Sequence, residues 1–230
     1  VHTMKLTKPT LKQIIKESLS NQEIDAILYD LFSTGNGAQA EAIATSLKKN
    51  NFFAGIEFVN HDFSGAEMSL MNLSKSNFSL SIFSGVSLRG ADLTDADLRG
   101  TFLIGTDLSG ANLSGAMLNR MKSNRTIGSE INLQNANLSG ASLMDADFED
   151  GNLKGVNMSN TNAKKIKLVL ANLKNANLTG ANLRGANLSG ANLSGADLSG
   201  CNLTGVRLRF AKLDNIKYNE STRWPKGFTP

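Results

Sequence analysis

The sequence predicts a mainly β protein, a solenoid of short extended steps preceded by a small α-helical segment. From Phe58 to Tyr218 a large apolar residue recurs at nearly every fifth position. A small residue, most often Ala, precedes it by two, and Gly, Asn or Asp commonly follows it by two. A period of five fits neither the 3.6-residue helix nor the two-residue strand. Residues two apart in an extended step do point to one side, and Gly, Asn or Asp at the next position permits the positive φ of a type II turn. Each block is therefore one extended step with two inward side chains, followed at once by a corner. A coil of such steps buries no core until its neighbour covers it, so the stack is the folding unit. The period alone does not fix the number of sides.

Residues 1–50 read differently. Leu11, Ile14, Ile15 and Leu19 share one helical face after Pro9, and Ser20 with Glu23 forms a capping box for a second helix carrying Ile24, Ile27, Leu28, Leu31 and Phe32. A third helix, about 38–49, carries Ala42, Ile43 and Leu47. These helices are expected either to cap the solenoid or to act as a small adaptor. From Ile56 onward the large residues run Phe58, Phe63, Met68, Leu73, Phe78, Phe83 and then Leu through Leu118, resuming at Leu133; every fifth residue from Leu168 to Leu213 is Leu. Residues 121–130, "MKSNRTIGSE", break the pattern without changing its phase. They are either two degenerate blocks centred on Ser123 and Gly128 or a ten-residue loop. The loop is favoured because Ser and Gly fill no core and Lys122 and Arg125 prefer water. Lys75, Leu80, Arg120, Lys165, Leu170 and Phe210 stand at the corner position and are expected to adopt other turn types.

The tandem "ANLSGANLSGADLSG" at 186–200 resembles the pentapeptide-repeat family, A(D/N)LxX in series, and the likeness covers about three quarters of the chain. It implies a right-handed quadrilateral β-helix with four blocks per coil, hence about eight coils and roughly 40 Å of stack at strand spacing. It divides the chain into a helical segment (1–50), the β-helix (51–220) and a C-terminal tail (221–230). "STRWPKGFTP" resembles the tails of cyanobacterial members, with Trp224 and Pro225 expected to lie over the last coil and seal its edge.

Composition bounds the function. Net charge is +4 with a pI near 9.2, and a single Cys excludes an internal disulfide. No apolar run is long enough to span a membrane. No leader begins the sequence, so a cytoplasmic protein is expected, or a thylakoid-lumen or periplasmic one where a leader has been removed. With two His in the chain, no metal cluster assembles. His61 reads as a structural contact and Cys201 as a small core residue. No catalytic constellation, cofactor site or phosphate loop is present, so the protein is read as no enzyme.

Function is then expected on the outside. If four blocks make a coil, Ile82 and Phe102 stack, and Ile104 and Met144 lie on the same face, a candidate protein contact, unless they are scattered surface apolars. Lys154 stacks with Lys174 and Lys164 with Arg184, and Lys165 and Lys167 lie close by. They form a candidate basic patch or a solvated surface. The leading reading is a protein–protein interaction scaffold or adaptor, monomeric or an end-to-end dimer, with an unidentified protein partner. The alternative follows from the resemblance: some family members mimic B-form DNA and bind DNA gyrase. That mechanism needs an acidic surface, which the net charge opposes. Direct nucleic-acid binding is disfavoured because no aromatics are interleaved with the cations.

Overall fold

The computed structural model describes residues 53–230. The helices expected within 1–50 lie outside the described residues. From residue 57 onward rung residues pair in parallel with those twenty positions on, Glu57 with Asn77, Asp62 with Ile82, Glu67 with Ser87, Asn72 with Asp92, until Asn202, which pairs twenty-one on with Arg223. Twenty residues therefore make one coil, and each coil has four sides. Side 1 carries the rungs from Glu57 to Lys217, side 2 those from Asp62 to Asn202 and then Arg223, side 3 those from Glu67 to Arg207, and side 4 those from Asn72 to Lys212.

Hydrogen bonds hold the register along the axis. Leu178 N–H donates to the Asp197 carbonyl at 2.9 Å and Asn177 N–H to the Val156 carbonyl at 2.9 Å, while Ala181 N–H closes the turn onto Leu178 at 2.9 Å. Where Asn or Asp is the rung, its side-chain oxygen commonly accepts the N–H two residues on, as Asp62 does from Ser64 at 2.9 Å. This local bond explains why the rung position favours these two residues. On side 4 the Asn side chains also link coil to coil, Asn132 donating to Asn112 at 2.9 Å and Asn152 to Asn132 at 3.1 Å.

The corners correct one expectation. Lys75, Leu80, Arg120, Lys165, Leu170 and Phe210 do not adopt other turns; they take positive φ of 58°, 64°, 60°, 57°, 57° and 61°. Left-handed backbone costs an L-residue about 1–2 kcal/mol, and the axial ladder on both sides of each corner outweighs it. Leu70 and Leu170 lean over the corner of the next coil, where a Cβ at Gly90 or Gly190 would fall 2.8 or 2.7 Å from the leucine Cδ2. Glycine there supplies room as well as conformation.

Residues 121–130 correct another. They are not a loop but two blocks in register: Lys122 pairs with Phe102 and Ser142, and Ile127 with Asp107 and Asp147. Ser123 points inward, fully buried. Its hydroxyl donates to Thr126 at 2.7 Å, and Thr126 donates to the Leu103 carbonyl at 2.6 Å, so no buried hydroxyl is orphaned. The space over Gly128 is filled from the next coil by the Phe148 ring, 2.9 Å from where a Cβ would sit.

The first coils pack aromatic rings where later ones pack leucine. Phe58 stacks with Phe78 at 5.7 Å and Phe63 with Phe83 at 4.9 Å, with edge contacts between the two columns. Buried hydroxyls close the neighbouring turns: Ser81 accepts from His61 N–H at 3.0 Å and donates to the Phe58 carbonyl at 2.6 Å. At the other end Arg223 pairs with Asn202, so the tail adds a strand over side 2. Trp224 packs against the core and stacks on Phe228 at 5.1 Å. The edges of sides 3 and 4 stay open there: among the described residues, the amides of Leu208 and Leu213 donate no hydrogen bond.

Candidate interaction face

Inward positions are filled with core. The Cys201 thiol is buried, donates to the Leu178 carbonyl at 2.8 Å and is pushed up to about 12 by burial, which leaves it inert as a nucleophile. His61 is buried between Phe58 and Phe63, its Nδ1 2.9 Å from the Val59 carbonyl. Among the described residues no group of His, Cys, Asp and Glu could hold a metal ion, and no helix is long and apolar enough to cross a membrane.

The twenty-residue register puts Ile82, Phe102, Ile104 and Met144 together on side 2. Ile82 and Phe102 are successive rungs, and Ile104 and Met144 are the residues after the central ones. Ile82 is 37% exposed and Ile104 43%, while Phe102 and Met144 are half-buried. Lys122 is the next rung, its Nζ 4.8 Å from the Phe102 ring centre. Asn124 supports the following coil, accepting from the Ser142 hydroxyl at 2.8 Å and from Met144 N–H at 3.2 Å.

The six basic residues are not brought into one patch. Lys164 and Arg184 stack on side 2, with Lys165 at its corner. Lys154 and Lys174 stack on side 4, across the coil. Lys167 is a rung of side 3 and pairs with Asp147 at 2.8 Å, whose carboxylate raises the lysine above its ordinary pKa. Side 2 gains Lys122 and Arg125 from the segment read as a loop, so its blocks carry five cations against Asp62 and Asp145. Among the described residues the ion pairs are Arg89–Asp107, Arg99–Asp97 and Lys167–Asp147; none involves a side 2 cation.

The charge is also graded along the axis. Residues 53–150 hold twelve Asp and Glu against six Lys and Arg, and residues 151–230 hold three against twelve.

A four-sided β-solenoid with a filled interior and decorated sides is the class of protein this geometry defines. The sequence matches the family described as Pentapeptide repeats (8 copies) over residues 53–90, 87–120, 129–162 and 166–205, and the chain belongs to that family. Its right-handed β-helix is the fold class of this chain. Among solved structures the chain is similar to HetL, a pentapeptide repeat protein involved in heterocyst differentiation regulation from the cyanobacterium Nostoc sp. strain PCC 7120. That match has 28% identity over 80% of this chain and 94% of HetL, with a TM-score of 0.39. It is similar to a pentapeptide repeat protein of the Arabidopsis thaliana thylakoid lumen at 31% identity, over 49% of this chain and 71% of that one, with a TM-score of 0.29. It is similar to a trypsin-treated form of QnrB1, a plasmid-mediated fluoroquinolone resistance protein, at 23% identity over 73% and 86% of the two chains, with a TM-score of 0.43. No curated protein matches the chain.

Proposed function

We propose that the protein is a non-enzymatic scaffold or adaptor that binds another protein through an outer side of its β-helix, side 2 foremost. The observation that carries this reading is the coincidence on one side of Ile82, Phe102, Ile104 and Met144 with cations that, among the described residues, no ion pair engages. Exposed apolar side chains gathered on one flat wall favour a protein contact over scattered surface residues. Mimicry of DNA toward gyrase is the weaker reading. It calls for an evenly acidic exterior, whereas residues 151–230 carry a large excess of Lys and Arg.

The test is a quantitative pull-down with three full-length baits: the unaltered chain, an Ile82→Ser/Ile104→Ser variant, and a Lys154→Glu/Lys174→Glu variant of side 4. A protein retained by the first and third baits and lost by the second supports recognition on side 2. Equal retention by all three refutes it, and gyrase subunits on every bait would restore the mimic.

A further inference from the structure

We propose that side 2 recognises an acidic protein segment carrying an apolar anchor; the inference rests on the scaffold reading and names the chemistry of its partner. A β-helix side cannot take up a partner by adding a strand laterally, because its backbone groups are spent along the axis. Phe102 N–H donates to the Ser81 carbonyl at 3.0 Å, and Leu103 N–H donates to the Lys122 carbonyl at 2.7 Å. Recognition on a side must come from side chains. Side 2 offers two kinds in order: an apolar group of Ile82, Phe102 and Ile104, then Lys122, Arg125, Lys164, Lys165 and Arg184, with Met144 among them. From Ile82 to Arg184 is five coils, about 24 Å at strand spacing, the length of roughly sixteen helical residues.

Charge singles out this side. The blocks of sides 1 and 3 hold more carboxylates than cations, and there Arg99 pairs with Asp97, Arg89 with Asp107 and Lys167 with Asp147. Side 4 has Lys154 and Lys174 but an asparagine ladder in place of large apolar side chains. Exposed apolar side chains also stand on side 1, at Leu80 and Met117, and on side 3, at Leu70, Ile127, Leu170 and Phe210, but among the described residues only on side 2 do such side chains meet an excess of cations over carboxylates, and complementary sign gives both steering and register. Phe102, the aromatic ring of the group, is half-buried under Lys122. That suits a protein surface better than a membrane, which needs protruding tips, or a base, which needs an open ring face.

The probe is a fluorescent helix-forming peptide of about sixteen residues, rich in Glu with Leu and Phe at one end, titrated into the full chain by anisotropy. A peptide with Lys in place of Glu and phosphatidylserine–phosphatidylcholine vesicles are titrated in parallel. Expected are saturable binding of the acidic peptide alone, weakening with salt, and at least about a tenfold loss in Lys164→Glu/Arg184→Glu. Ile104→Ser should lose several-fold, and Lys154→Glu/Lys174→Glu nothing. Ser already stands at the position of Ile104 in the two preceding coils, as Ser64 and Ser84, so this variant should fold, and circular dichroism verifies each. The proposal is overturned by absent peptide binding, by vesicles binding in the peptide's place, or by an equal loss in the side 4 variant. Should the pull-down retain a partner through side 2 while the acidic peptide is ignored, the partner chemistry fails and the scaffold reading stands. Should neither bind, both fall.

Discussion

The stretches 176–205 and 53–90 hold the same coil by different means. In the later one every central residue is Leu, every corner is Gly, and every small inward residue is Ala except Cys201. In the earlier one the central residues include five aromatic rings, the small positions include His61, Ser76 and Ser81, and the corners include Asn60, Leu70, Lys75 and Leu80. The rungs are nonetheless spaced by twenty in both. Axial hydrogen bonds and the turn set the register, and the side chains decide only how the interior is filled. Residues 121–130 carry this furthest, keeping register with Ser and Gly at the centres.

The comparison breaks hardest at the regular end. Leu188→Lys puts an unpaired charge into a fully buried position and should cost more than about 4 kcal/mol, read as loss of the cooperative thermal transition. Leu188→Ala should cost about 2–5 kcal/mol. The earlier stretch is more sensitive at its small positions. Ser81→Ala removes a hydroxyl that satisfies two backbone groups and should cost about 1–3 kcal/mol in denaturant melts. Cys201→Ala should stay within about 1 kcal/mol, and equal costs would erase the distinction. Gly128→Ala should cost about 1–3 kcal/mol by overpacking against Phe148, with much of it recovered in the Phe148→Leu background. At the corners the sign reverses, and Leu170→Asn should gain up to about 1 kcal/mol by relieving left-handed strain.

The smallest effect is electrostatic. Burial works to raise the Asp97 carboxyl, but the side-chain and backbone bonds from Arg99 prevail and hold it below its ordinary value. A lowered folded pKa means stability present above the unfolded carboxylate range and lost as pH falls through the folded value. Melting midpoints of the unaltered chain and Asp97→Asn should therefore converge in acid below about pH 4. An unchanged gap down to the most acidic point would contradict it.

The period, the central residues and the small positions were legible because each is local to one block. The in-register state of 121–130 was not. What makes Gly128 tolerable is Phe148 in the next coil, and what makes Ser123 tolerable is a bond to Thr126. Bulky corners were misread for a related reason: propensity favours Gly, but the ladders on either side overrule it at Leu170 and Phe210. On the face, Ile82 and Phe102 could be placed together by counting twenties. Lys154 and Lys164 are near in sequence and stand half a coil apart, so nearness in the chain misled.

The rung spacing has a consequence for how such a chain tolerates change in length. Each block advances the winding by a quarter turn, so inserting or deleting five residues near position 110 would carry Lys164 and Arg184 off the side that bears Ile82 and Phe102. Twenty residues would leave the alignment intact and shift the two groups along the axis by about 4.8 Å. The molecule thus behaves as a vernier: length in multiples of twenty sets distance, the remainder sets angle, and a two-part recognition surface survives only the first kind of edit.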